Sequence, residues 1–328
     1  MSAAISPLQA LGFLLASYAV LGNDALQTLG PFLAANRGRV PKGWQALFLG
    51  AVLVAVLLLG WVRGGGDPAW GRLACFALPE RFAWPDLIPP LAVLLLTQAG
   101  APVSTSFLVL TAFQGSNLPA LLIHSLAGYG VAFLVGSLAY GGAALVRRSV
   151  GVGADREAPA ATATPPATRL WLTLQWLATG WLWSQWLIQD LANLYIYLPR
   201  HLDGPAMAGS LAVLVVGLCL VVGQNGGAIQ GVLASKSATQ DPRATTLISS
   251  LYGLILFGLA RWSPMPLSTT WVFLGLLGGR ELALTWGGRD PKAMGLVRSL
   301  GPDLLKAGLG LGVSVAVALA VPLLKGSS

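Results

Sequence analysis

The chain reads as an all-α polytopic membrane protein made of two inverted-topology repeats, each with a broken signature helix and a re-entrant helical hairpin. Three observations predict this: charge is scarce, apolar segments of spanning length recur, and two polar motifs each occur twice at almost one spacing. Of 328 residues, 55% are hydrophobic and only 10% charged, and mean hydropathy is +0.70. A soluble domain carries roughly 25% charged residues, so this chain lacks the polar surface to solvate a globule of its size. Segments 44–62, 118–146 and 206–222 are of the length that a hydrocarbon core about 30 Å thick demands. They are rich in Leu and Gly without alternation, which favours helices over barrel strands.

The elements follow in order. Residues 5–21 form a first apolar stretch with no basic region before it and no cleavage pattern after it, so it is read as a retained helix and not a signal peptide. It runs into Gly22-Asn23-Asp24, and a polar half-helix follows to about Asn36. Residues 44–62 span. Residues 87–116 are apolar but broken at Gly100-Ala101-Pro102, and each arm is too short to cross, which predicts a re-entrant hairpin. Residues 118–146 are a long, tilted span. The segment 147–169, with Ala-Pro and Pro-Pro turns, is a linker dividing the first repeat (1–146) from the second (170–328). The second half repeats the plan: an apolar stretch ending at Gln189-Asp190, a half-helix to Arg200, a span at 206–222, a hairpin broken at Ser263-Pro264-Met265-Pro266, and a last span at 304–324.

A net charge of +8 does not signal nucleic acid here, because basic residues stand singly or in small groups between apolar segments, as positive-inside loops do. Arg37, Arg39 and Lys42 fill the first loop; Arg147, Arg148, Arg156 and Arg169 lie in the linker; loops 236–243 and 280–298 are also basic. Loop 63–86 balances Arg63, Arg72 and Arg81 against Asp67, Glu80 and Asp86, and 199–205 has little excess charge. Cytoplasmic basic loops put both termini outside a multi-pass protein of the cell (inner or plasma) membrane, and make the halves inverted relative to each other. Cys75 and Cys219 have no metal or redox spacing and read as packing residues.

The duplicated motifs carry the chemistry. Asn23-Asp24-Ala25-Leu26-Gln27 and Gln189-Asp190-Leu191-Ala192-Asn193 share the pattern amide-Asp-x-x-amide, with the aspartates 166 residues apart. Pro102-Val103-Ser104-Thr105-Ser106 and Pro266-Leu267-Ser268-Thr269-Thr270 lie 164 apart. Two unrelated pairs at nearly one offset mark an internal repeat. Residues three apart share a helix face, so Asp24 joins Gln27 and Asp190 joins Asn193. An intramembrane Asp is costly and is a functional candidate; carboxylate and amide oxygens suit Na⁺, and a desolvated Asp suits a proton. Proline starts a helix well, and the hydroxyls and free N–H groups behind it suit an oxyanion. Two such starts meeting beside Asp-bearing helices describe a secondary transporter of an anion coupled to a cation. The expected substrate set is therefore Asn23, Asp24, Gln27, Ser104, Thr105, Ser106, Gln189, Asp190, Asn193, Ser268, Thr269 and Thr270. Asp24, Asp190, Gln27 and Asn193 are assigned to the cation, with Na⁺ at the two aspartates. Arg261, five residues before Pro266, either binds the oxyanion with its guanidinium or snorkels to the headgroups.

On these residues the chain resembles a divergent member of the inorganic phosphate transporter (PiT) family. That family carries Gly-Ala-Asn-Asp-Val-Ala-Asn-Ala in both halves and Pro-Val-Ser-Thr-Thr-His further on. The resemblance runs from Leu11 to about Gly279 without the linker. It implies an inverted-repeat fold and phosphate uptake driven by Na⁺ or H⁺, with no cofactor. Here Gln27 and Gln189 replace signature asparagines, and Phe107 and Trp271 stand where the family often has His. The expected partners are inorganic phosphate or a similar oxyanion and the lipid bilayer, with a homodimer left open. Sulfate or another oxyanion, or a non-transporting scaffold or sensor, is the alternative.

Other polar residues have plainer readings. Gln98 and Gln114 flank the first hairpin tip as interhelical polar groups or ligands. Trp171, Trp176, Trp181, Trp183 and Trp186 serve packing and interfacial anchoring. His124 and His201 come with no hydrolase motif, and His124 has no counterpart in the second half, which weighs against an intramembrane serine enzyme.

Overall fold

The computed structural model describes residues 5–77, 82–98, 103–149, 167–224, 242–286 and 293–326, and every residue assigned to a secondary-structure element among them is helical. Helix α1 (Pro7–Asn36) begins where chemistry favours it. Ser6 Oγ accepts from Gln9 N at 3.2 Å, Gln9 Oε1 accepts from Ser6 N at 2.8 Å, and Pro7 opens the first turn. It then runs unbroken through Gly22-Asn23-Asp24. The break expected at the first signature is absent, because Asn23 and Asp24 find side-chain and carbonyl partners on a neighbouring hairpin without unwinding their own backbone. Helix α2 (Lys42–Arg63) leads into a series of turns at 64–77. There Gly65, Gly66 and Gly71 take positive φ, and the Asp67 carboxylate accepts from Ala69 N and Gly71 N at 2.8 Å each. A 3₁₀ turn (Trp84–Leu87), α3 (Ile88–Gln98), a π-helical turn (Ser106–Leu110) continuing into α4 (Thr111–Phe113), and α5 (Leu118–Ser149) complete the half.

The second half follows the same order. Helix α6 (Ala167–Asp190) meets a one-residue interruption at Leu191 and continues as α7 (Ala192–Tyr195), so the signature helix is interrupted in this half. Helix α8 (Gly204–Gly223) is capped by Asp203, which accepts from Ala206 N at 2.9 Å. The second hairpin is α9 (Pro242–Trp262) and α10 (Thr269–Trp286), and α11 (Ala293–Gly326) closes the chain. Residues 150–166, the greater part of the expected linker, lie outside the described residues.

Among the described residues, five helices are long and apolar enough to cross a membrane: Lys42–Arg63, Gly115–Val146, Gly204–Gly223, Pro242–Trp262 and Gly308–Lys325. Their outward faces are apolar. Leu138 is 75% and Leu323 74% exposed, a surface that belongs in lipid. The protein is an integral membrane protein.

Packing follows one plan within each half and is reciprocal between the halves. Helix α1 packs on α3 as α6 packs on α9. The returning arm of the first hairpin packs on α11, the last helix of the other half; α10, the returning arm of the second, packs on α5. The α5–α10 seam is close because glycine permits it. A Cβ on Gly275 would stand 2.4 Å from Tyr129 O, and one on Gly279 2.1 Å from Phe133 O. Small residues are how membrane helices reach such contact. Trp183 and Trp186 stack at 4.8 Å, fully buried, which supports the packing reading for these two.

Candidate functional site

The motif residues whose side chains are described converge, and each position in the Ser/Thr trios has its own part. Ser104 Oγ accepts from Phe107 N and Ser268 Oγ from Trp271 N, both at 3.3 Å. These serines cap the first turns of the returning arms. The middle residues each hold the aspartate of their own half: Thr105 donates to Asp24 Oδ2, and Thr269 to Asp190 Oδ2 at 2.7 Å. The third residues cross over. Thr270 Oγ1 lies 3.4 Å from Asp24 Oδ1 and 3.3 Å from Val103 O; Ser106 Oγ lies 3.5 Å from Asp190 Oδ1 and 3.2 Å from Leu267 O. Each crossing hydroxyl thus has the other half's carboxylate and the other hairpin's carbonyl as alternative acceptors. Phe107 and Trp271, equivalent in the repeat, meet edge to face at 5.5 Å.

The amides complete the cluster. Asn23 Nδ2 donates to Asp24 Oδ1 and Val103 O, both at 2.7 Å. Asn193 Nδ2 is 3.0 Å from Asp190 Oδ1, 3.0 Å from Thr105 Oγ1 and 3.2 Å from Ser106 Oγ. Gln189 Nε2 reaches Leu256 O at 3.4 Å. Each nitrogen faces a carbonyl or carboxylate oxygen, which fixes the amide orientation. It follows that Asn23 Oδ1, Gln189 Oε1 and Asn193 Oδ1 are buried acceptors with no hydrogen-bond partner among the described residues. An acceptor cannot be satisfied by another acceptor; it calls for a donor or a cation. Asp24, Asp190, Asn23, Gln189, Asn193 and all six Ser/Thr residues are buried. The Gln27 side chain lies outside the described residues.

Arg261 is not brought to this site. It is exposed on the face of α9 that also carries Leu254, Phe257 and Gly258, and its guanidinium rests 5.2 Å from the Phe257 ring. Helical spacing of three and four residues sets that face. Gln114 accepts from Ala77 N at 2.8 Å and Gln98 is exposed, so neither points to the aspartates. The ring of His124 contacts its own helix at Ala120 O and the Trp262 ring, not a site serine.

Three residues outside the motifs support the cluster. Buried Tyr252 of α9 donates to Thr269 O at 2.9 Å, and buried Ser125 of α5 accepts from Ser268 N at 2.9 Å. Both sit in apolar runs where nothing distinguishes them. Arg72, buried in the 64–77 turns, donates to Ser263 O at 2.7 Å and Ala260 O at 3.2 Å, at the C-terminal end of α9. A count of loop charge hides it, since its loop is neutral.

No protein-family model and no curated protein matches the chain. Among solved structures it is similar to one described as "The sodium-dependent phosphate transporter", with a TM-score of 0.59 and 15% identity over 97% of this chain and 98% of that one. A likeness spanning both chains at that identity is a likeness of fold.

Proposed function

We propose that this protein is a secondary transporter that carries inorganic phosphate across the membrane together with Na⁺ or H⁺, and that it is not an enzyme. The observation that carries the reading is the reciprocal cluster: two buried carboxylates, one from each half, cross-linked by hydroxyls from both hairpins, beside three amide oxygens that lack a partner among the described residues. Hard anionic and amide oxygens in a dry site suit Na⁺, and a carboxylate there also suits a proton. The first amides of a helix have no intrahelical acceptor, so the starts of the returning arms supply N–H groups as well as hydroxyls to an oxyanion. Binding a cation at Asp24 or Asp190 weakens the claim of Thr105, Ser106, Thr269 and Thr270 on the carboxylates. Those hydroxyls then turn to the phosphate, so cation and anion favour each other's binding. The fold likeness to a sodium-dependent phosphate transporter agrees with this.

The test is uptake of radiolabelled phosphate and sulfate by vesicles reconstituted with the purified protein under imposed Na⁺ and H⁺ gradients. Phosphate should accumulate only with an inward cation gradient; accumulation of sulfate alone would reassign the substrate, and no gradient-driven uptake of either would end the transport reading.

In this reading residues 1–146 and 170–328 are repeats of opposite orientation, both termini face outside, and 147–169 is cytoplasmic. Here α1, α2 and α5 are the crossings of the first half and α6, α8 and α11 those of the second, with each hairpin entering and returning although α9 is long enough to cross; an odd number inverts the next half. A cysteine placed by Ala160→Cys, with Cys75 and Cys219 replaced by Ser, should resist an impermeant thiol reagent in intact cells and label after permeabilisation. Labelling from outside would reject this topology.

A further inference from the structure

Two arginines, one in the 64–77 turns and one bonded to them, have no carboxylate partner within ion-pair distance among the described residues. Arg72 is 5% exposed, and its bonds go only to carbonyls, Ser263 O and Ala260 O. Arg200, half-buried just beyond α7, donates through Nη2 to Phe76 O at 3.1 Å, four residues along the chain from Arg72, while its Nη1 is buried with no partner. Among the described residues, the acids nearby are otherwise engaged. Asp67 holds Ala69 N and Gly71 N, and Asp86 pairs with Lys325 at 2.5 Å. A guanidinium offers five donors in a planar fork, and these bonds use only part of each. Burial lowers the pKa of both groups; the charge of Asp190 opposes this at Arg72, and that of Asp67 at Arg200. A buried cation without an anion is unfavourable unless the missing anion arrives during function.

We infer that Arg72 and Arg200 form an oxyanion-collecting subsite on the face of the cluster toward the 64–77 turns, which holds the anion before it passes to the Ser/Thr arms. The inference rests on the transport reading for its purpose, but not for its detection. Negative charge on the carboxylates repels an incoming oxyanion, and the positive charge of Arg72, which interacts electrostatically with Asp190, offsets that repulsion. Arg72 also grips the turn that leads into Ser268-Thr269-Thr270, so an anion drawn to it arrives where those hydroxyls begin. The alternative is that Arg72 only caps the C-terminal carbonyls of α9, a favourable place for any cation.

The experiment measures stabilisation of the purified protein in detergent against inorganic phosphate concentration, alongside initial uptake rates, for wild type, Arg72→Gln, Arg72→Lys, Arg200→Gln and the lipid-face control Arg261→Gln. Arg72→Gln should weaken phosphate-dependent stabilisation and raise the apparent KM about tenfold, the factor of one charge-assisted hydrogen bond, with the maximal rate per folded molecule little changed. Arg72→Lys should recover much of the loss, Arg200→Gln should show a smaller rise, and Arg261→Gln none. Raising the ionic strength should erode the wild-type advantage over Arg72→Gln. An Arg72→Gln protein with lower yield but unchanged KM and unchanged phosphate stabilisation would overturn the inference and leave Arg72 as a cap. Wild type that is stabilised by phosphate through Arg72 yet accumulates none would sustain the subsite and overturn the transport reading. Absence of any phosphate stabilisation in wild type would overturn the subsite, whatever the uptake.

Discussion

Asp24→Asn and Asp190→Asn should each lower cation-coupled phosphate uptake by about two orders of magnitude or more while leaving the protein folded. Each carboxylate is held by Thr from its own half and approached by Thr or Ser from the other. Asn keeps the shape and one acceptor oxygen for these hydroxyls, so the packing survives. It removes the negative charge, and with it the group that binds Na⁺ or a proton. A charged hydrogen-bonding ligand is worth about 3 kcal/mol, a factor of about a hundred in an equilibrium. The check is initial uptake under a Na⁺ or H⁺ gradient, with melting in detergent to confirm folding. Because Ser106 and Thr270 tie each aspartate to the opposite half, the double mutant should be hardly worse than either single one. Full uptake by a single mutant, with unaltered cation dependence, would remove that residue from the mechanism.

Gly279→Leu should abolish the folded protein. Even the Cβ would lie 2.1 Å from Phe133 O and 2.7 Å from Ser137 N. These are backbone atoms of α5 and cannot swing aside as a side-chain tip does. The α5–α10 seam must open, and α10 carries Thr269 and Thr270. Overpacking costs about 1–3 kcal/mol where side chains can shift; here the backbone itself must move, so the loss should reach or exceed the top of that range. The readout is the monodisperse fraction on size-exclusion chromatography after detergent extraction. Gly50→Ala is the control, since no atom lies within 4 Å of a Cβ there, and Ala is the better helix former. A monodisperse Gly279→Leu protein with wild-type melting would show that the seam is not needed.

The convergence of the motifs was legible because the chemistry is duplicated. Two aspartates in apolar surroundings and two Pro-x-Ser-Thr segments at one offset have to meet partners somewhere, and the reciprocal hairpins bring them together. What the motifs left unread was the division of labour within each Ser/Thr trio, since capping, holding and crossing depend on three-dimensional direction. The continuity of α1 was hidden for a related reason. Polar residues inside a membrane suggest an unwound backbone, yet Asn23 and Asp24 spend their hydrogen bonds across space and leave the helix intact. Between the two options open for Arg261, its distance from Pro266 along the chain cannot choose; its face does, since Leu254, Phe257 and Gly258 share it and are exposed. Arg72 was concealed by arithmetic, a single buried charge inside a loop whose total is zero.

The exchange of packing partners also constrains how the protein is made. The arm bearing Thr105 and Ser106 leaves the ribosome early, but the helix it packs against, α11, follows every other described helix. Until α6 and α10 are made, Ser106 lacks Asp190 and the Asp24 carboxylate lacks Thr270, although Thr105 of its own half already holds it. The first half therefore carries its polar groups only partly paired until the second half arrives, so the two halves complete each other's sites and neither is finished alone.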